Sequence, residues 1–190
     1  MNNNQSQLRL AVVCSSNMNR SMEAHARLHK KGYNVLSFGT GDKIKLPGPS
    51  VSQPNVYDFG TSYEEIYQDL AKKDKVMYKQ NGILHMLDRN RIIKPRPDRL
   101  QDSEKQFDVI MTAEERVYDQ VLEHFEQRGS KEDQLVHVIN MDIQVRKIVH
   151  FTSSSSRHLI RTTKKRRPLA LSCFTSLCRC LLEVWTWIMR

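Results

Sequence analysis

Residues 8–14, LRLAVVC, place Val and Leu on both faces of one short run, a pattern suited to a strand covered on both sides, as in a parallel sheet. A polar loop over residues 15–20 follows. Then comes SMEAHARLHKK, a good helix former with Met22, Ala26 and Leu28 on one side, closed by Gly32. Residues 33–38 read as a second strand. Strand, helix and strand within about forty residues make one crossover, which is expected to be right-handed and parallel.

The remaining pattern extends that unit. Gly39, Gly41, Pro47, Gly48, Pro49 and Pro54 mark a long loop or small hairpin rather than core. Residues 61–80 form an amphipathic helix with Tyr63, Ile66, Tyr67, Leu70 and Met77 at helical spacing. FDVIMT, residues 107–112, is a third strand, residues 113–128 a third helix, and LVHVINMDI, residues 135–143, a fourth strand. The predicted class is α/β, a doubly wound parallel sheet with flanking helices. Such sheets bind ligands at the carboxyl ends of their strands, near the topological switch point.

Composition matters through its distribution. The chain has 190 residues and a net charge of +9, but residues 145–190 carry ten Lys and Arg against one acid, Glu183. The first 144 residues balance at twenty of each sign. Basicity therefore belongs to the last quarter, and no direct nucleic-acid partner is expected for the body. Residues 1–7 are mostly Asn, Gln and Ser and read as a disordered lead rather than a secretory signal, so a reducing cytosolic or nuclear setting is expected. Four cysteines rule out a disulfide-stapled scaffold.

The chemistry lies where the first strand ends. Cys14, Ser15, Ser16, Asn17, Met18, Asn19, Arg20 and Ser21 spell Cys, five residues, Arg, Ser between a buried strand and a helix start. A tight loop of this length can aim successive backbone N–H groups at one tetrahedral anion and add the positive end of the helix. Arg20 closes the ring and can chelate two phosphate oxygens, which Lys cannot do in a planar fork. The same field favours the thiolate of Cys14, a nucleophile able to attack phosphorus. Ser21 is placed to donate a hydrogen bond to that sulfur. On spacing alone, Cys14 also fits a buried small hydrophobe.

These residues resemble the Ssu72 family, phosphatases of the C-terminal repeat domain of RNA polymerase II. The likeness covers residues 8–144: VVCSSNMNRSMEAH, SFGTG, KLPGP, QPNVYDF, KQNGILHMLDRNR, KPRP, EERVYDQV and VHVINMDIQ. It implies a low-molecular-weight-phosphatase-like fold and a cysteine-dependent serine phosphatase that needs no metal or cofactor. Its substrate would be Ser-Pro sites of the polymerase repeat, mainly the serine at the fifth place, with the following proline in cis. It further implies a nuclear location, a symplekin-type scaffold as partner and a role in mRNA 3′-end processing; no membrane partner is expected. By the same resemblance Cys14 is the nucleophile, residues 15–20 cradle the phosphate, and Lys45, Leu46, Pro47 and Met86 form an apolar groove for the substrate proline. On residue type alone these four equally fit a solvated loop and a core methionine. Asp88 and His85 read as a helix end and a structurally partnered histidine rather than an acid or base.

The likeness departs at residue 145. A serine alkoxide is a poor leaving group and needs a proton donor, which the family supplies from an Asp-Ile-Gln-Asp segment after the fourth strand. Here the run is Asp142-Ile143-Gln144-Val145, so the position of the general acid holds Val145. Asp142 stands as a substitute candidate beside the plainer reading of a strand-end aspartate. The alternative function is therefore a catalytically impaired phosphopeptide- or scaffold-binding variant. A tyrosine-phosphatase reading is weaker, because Asp142 is not followed by the Pro that marks the acid in the low-molecular-weight group.

The fold is accordingly expected to be truncated or altered after the fourth strand, with residues 145–190 a divergent basic tail. Within it, Lys164-Lys165-Arg166-Arg167-Pro168 fits an import patch. Arg179 and Glu183 argue against residues 169–189 as a membrane span, and Cys173, Cys178 and Cys180 lack a fourth ligand at zinc spacing.

Overall fold

The computed structural model describes residues 8–50, 52–128 and 135–141. The first strand, β1 (Leu10–Cys14), is buried at every position, as its two-faced apolar pattern requires. It leads through the loop into α1 (Arg20–Lys30) and back to β2 (Val35–Gly39). Later in the chain, β5 (Val109–Thr112), α4 (Glu115–Arg128) and β6 (His137–Asn140) complete a four-stranded sheet in the order β2-β1-β5-β6. All three pairings are parallel. The chain leaves β1 toward β2 on one side and enters β5 on the other, so the switch point lies at the carboxyl end of β1, where Cys14 stands.

Helices cover both faces. Ala11 and Val13 of β1, Phe38 of β2 and Ile110 of β5 pack against Val117 and Val121 of α4. Ser37 precedes Phe38 and so turns to the opposite face, where its hydroxyl donates to Met22 Sδ of α1 at 3.1 Å. Burying each such aliphatic side chain contributes about 1.5–3 kcal/mol. The doubly wound α/β sheet is thus present across the described residues. The alteration expected after the fourth strand falls on residues 142–190, which lie outside them, as do residues 1–7.

In sequence, between β2 and β5, come a hairpin, β3 (Ile44–Ser50) and β4 (Gln53–Tyr57), and two helices, α2 (Tyr63–Gln80) and α3 (Ile83–Ile93). The hairpin corrects one expectation: Ile44 and Leu46 are buried against Tyr63, Ile66 and Leu87, so this punctuated stretch contributes to the core. The pairing register shifts between Leu46 and Ser50, where Pro47 and Pro49 cannot donate to a ladder. At Gly48 a Cβ would lie 1.7 Å from the Gln53 carbonyl oxygen, so only glycine fits.

Helix α2 starts from a capping box in which Ser62 and Glu65 satisfy each other's backbone amides. It kinks at Asp74 (φ −160°), whose carboxylate accepts from the Met77 amide at 2.9 Å and so acts as an internal cap that restarts the helix. Helix α3 is an element that the sequence pattern does not separate. It follows Gly82 at φ +79°, a conformation that favours glycine. Asp88 is consequently mid-helix rather than at a helix end, paired with Arg91 at 2.7 Å.

Candidate active site

Residues 15–19 join a buried strand to a helix without any regular structure of their own, so their backbone groups need partners elsewhere. The carbonyls find them on the outside of the loop. Cys14 O accepts from the Thr40 amide (3.1 Å), Ser15 O from Gly41 (2.9 Å) and Asn19 O from Glu23 (2.8 Å). Asn17 O accepts from the Tyr63 hydroxyl at 2.7 Å. Met18 O accepts from Asn90 Nδ2 at 2.6 Å and from Arg89 at 3.3 Å. A trans peptide points its N–H opposite to its C=O, so these ties turn the amides of Ser15, Ser16, Met18, Asn19 and Arg20 the other way. None of the amides of residues 15–19 donates to an acceptor among the described residues. Asn19, the N-cap of α1, makes no side-chain cap bond, which leaves the start of the helix open as well.

Asn17 is the knot of this loop. It is fully buried with φ +51°, a left-handed conformation that Asn tolerates better than most residues. Its Nδ2 donates to Ser21 Oγ at 2.9 Å, and its Oδ1 accepts from the Asp98 amide at 3.0 Å. Ser21 Oγ in turn lies 3.1 Å from Cys14 Sγ. Either atom can supply the hydrogen of that bond, and the serine hydroxyl supplies it whenever the sulfur has none. Burial, reinforced by Cys14 and Asp98, raises the Tyr63 phenol far above its ordinary range, which keeps it a donor to Asn17 O at any physiological pH.

Arg20 opens α1 and reaches across to the end of β5. Its Nη1 donates to Ala113 O at 3.0 Å and pairs with Glu114 Oε2 at 2.7 Å. Arg89 holds Glu23 in an ion pair beneath the same turn. The cavity above the loop measures about 350 Å³ and is lined by Cys14, Ser15, Ser16, Met18, Asn19 and Arg20 on one side, and by Lys45, Leu46, Pro47 and Met86 on the other. Two segments far apart in sequence therefore meet the cysteine in one place. Asn17 and Ser21 stand behind the loop rather than in the cavity wall. His85 is exposed and Asp88 is engaged by Arg91; neither lines the cavity. Asp142 and Val145 lie outside the described residues.

The Ssu72-like protein family is matched over residues 8–165. This chain belongs to the Ssu72 family. It is 64% identical over 137 residues to the RNA polymerase II C-terminal domain phosphatase SSU72 of Xenopus laevis, covering 72% of this chain and 71% of that protein. The human protein of the same name is 62% identical over 139 residues, covering 73% and 72%. A solved structure of Drosophila melanogaster Ssu72 with symplekin, bound to a cis peptidomimetic of a CTD phosphoserine peptide, superposes with a TM-score of 0.71 at 59% identity, covering 74% of this chain and 73% of that one. A second Drosophila melanogaster Ssu72 structure, described as the serine phosphatase of the RNA polymerase II CTD, gives 0.71 at 61% identity, covering 72% of each.

Sequence reasoning missed several residues that shape this Ssu72 loop: Tyr63, Arg89, Asn90, Asp98 and Glu114. Asn90 carried a readable signal, since it continues the buried face of α3 marked by Ile83, Leu84 and Leu87, and a polar residue there needs a partner. Glu114 follows β5 at the same sheet edge as Cys14, a position whose meaning depends on knowing the strand order.

Proposed function

We propose that this chain is a protein serine phosphatase of the RNA polymerase II C-terminal repeat, acting at Ser-Pro sites through a phosphocysteine intermediate, with residues 8–144 as the catalytic domain. One observation carries the reading: Cys14, Arg20 and the Lys45, Pro47 and Met86 wall share a single cavity, with loop carbonyls tied outward, which turns the amides toward that cavity. The names of the relatives support the substrate, and the Drosophila complex supports a symplekin-type partner. A nuclear site of action follows from that substrate. No helix among the described residues is long and apolar enough to cross a membrane.

In the first step the Cys14 thiolate attacks phosphorus, the P–O bond to the serine breaks, and a donated proton neutralises the leaving alkoxide. The equatorial oxygens are held by loop amides and by Arg20, where donors aimed at developing charge contribute most. In the second step water attacks the phosphocysteine, phosphate departs, and the S–P electron pair returns to sulfur. Ser21 stabilises that leaving thiolate with its hydroxyl hydrogen.

The proton donor decides between this reading and a second, the impaired phosphopeptide- or scaffold-binding variant. Val145 occupies the family's acid position, and Glu114 is held by Arg20 and Ser15. The test is phosphate release from a phosphoserine-proline peptide and from an activated aryl phosphate, whose leaving group needs no proton. Relative to a family member with the acid, turnover of the peptide is expected to fall about 10²–10⁴-fold, with aryl phosphate turnover nearly intact and Val145→Asp recovering part of the loss. Equal impairment on both substrates excludes the missing acid as the cause. Aryl phosphate turnover that survives Cys14→Ser overturns the phosphatase mechanism.

A further inference from the structure

We propose that Glu114 is a positioning residue that fixes which edge of the Arg20 guanidinium meets the phosphate, an assignment that rests on the phosphatase reading above. Nη1 of Arg20 donates to the Ala113 carbonyl at 3.0 Å and lies in an ion pair with Glu114 Oε2 at 2.7 Å. That nitrogen is thereby anchored on the Ala113 and Glu114 side. The fork left for an oxyanion is the one formed by Nε and Nη2, two parallel donors that suit a bidentate grip. The other carboxylate oxygen, Oε1, accepts from Ser15 Oγ at 2.9 Å. Glu114 thus holds the first and last residues of the loop at once and leaves Ser15 only its amide to offer to the cavity.

Its place in the fold explains why this works. Glu114 follows β5, the strand paired with β1, whereas Ser15 and Arg20 bracket the loop that follows β1. The carboxylate bridges the two strand ends at the switch point, so the guanidinium is referenced to the sheet rather than to its own helix. The side chains of both partners are partly buried, at 27% and 28% exposure, which limits screening by water and salt.

A simple charge effect predicts the opposite sign. Removing a carboxylate beside an anion site relieves repulsion and tightens binding; removing a brace loosens it. The test is tungstate binding to the full chain by calorimetry, together with KM and kcat on an aryl phosphate. Glu114→Ala is expected to weaken tungstate about tenfold and raise KM by a similar factor, as loss of one charge-assisted hydrogen-bond network requires. Glu114→Gln, which keeps one acceptor, falls between that variant and wild type. Glu115→Ala, at an exposed neighbouring position, makes the same charge change and leaves both constants within about twofold. A loss of folded protein would lower kcat with tungstate affinity unchanged, and it overturns the assignment. So does unchanged or tighter tungstate binding in both Glu114 variants. A wild-type chain that binds no tungstate overturns the phosphatase reading and this assignment together.

Discussion

Two walls of one cavity are built on opposite plans. The loop from Cys14 to Arg20 has most of its carbonyls, the Asn17 side chain and Nη1 of Arg20 tied by named contacts to the segment after β5, to α2, to α3 and to the segment around Asp98. The facing wall presents Lys45 and Pro47 on an exposed hairpin and the half-buried Met86 from α3. It is held mainly by Leu46 beneath it and by Asn55, whose Nδ2 donates to Pro47 O at 3.0 Å. A transition state tolerates little misplacement, and a 1 Å shift can cost about a hundredfold in rate. A peptide ligand tolerates more, because apolar contact is non-directional. The loop is therefore the part that must be pre-organised, and the hairpin the part that can adapt to sequence.

The largest expected effect sharpens this contrast on the stability side. His25 of α1 is buried under the braced half, with Nδ1 2.9 Å from Ser37 Oγ. That hydroxyl also reaches Met22 Sδ, and either the ring or the hydroxyl can supply the hydrogen of the His25–Ser37 bond. Burial, with Lys94 and His29 adding to it, lowers the pKa of His25 to about 4. A histidine depressed in the folded state takes up protons first in the unfolded chain, so its contribution to stability is intact above about pH 6.5 and is lost as pH falls toward 4. The shift corresponds to roughly 3 kcal/mol across that window. Guanidinium melts at pH 7, 6 and 5 should lose stability progressively, and His25→Asn, whose amide can donate or accept toward Ser37 without titrating, should remove part of that slope. An identical slope in the variant would assign the acid sensitivity elsewhere.

Next in size comes Asn90→Ala. It strands the buried Met18 carbonyl with only the longer Arg89 bond and removes two contacts from Arg89 itself. A buried acceptor left short of a partner costs about 1–3 kcal/mol. Because the site moves with the loop, kcat on an aryl phosphate should fall at least tenfold, with KM rising too. A variant destabilised to that extent, yet with unchanged kinetics in its folded fraction, would show that the loop holds its shape without the brace.

The same division governs what could be read in advance. Strand β1, the cysteine loop and α1 are contiguous, so local pattern reads Cys14 at the strand end and Arg20 and Ser21 at the helix start, where the structure has them. A parallel sheet flanked by helices follows from the alternating elements and the crossover rule, whereas its order β2-β1-β5-β6 comes from the structure. The braces are not contiguous: Tyr63, Asn90, Asp98 and Glu114 come from four later segments, and only tertiary folding brings them to the loop. Helix α3 is hidden because Gly82 reads as a breaker when it is in fact a start, and because Asn90 and the charged residues dilute its apolar stripe. The hairpin reads as surface since prolines and glycines outnumber the two residues, Ile44 and Leu46, that bury it.

The smallest expected effect tests the adaptable wall. Pro47→Ala removes an exposed ring that contributes no hydrogen-bond donor and leaves its backbone carbonyl free to accept from Asn55. Met86→Ala removes a flexible, half-buried side chain beside it. Lost apolar contact of this kind is worth about 1 kcal/mol or less per site, or a few-fold in an equilibrium constant. Each variant should therefore raise KM for a phosphoserine-proline peptide about two- to fivefold and leave kcat near wild type. KM for a small aryl phosphate, which lacks the proline that the wall would receive, should change less. If either substitution instead lowers kcat on the aryl phosphate, the hairpin and α3 are helping to set the geometry of the cysteine loop, and the two walls are one mechanical unit rather than a fixed site facing a pliable one.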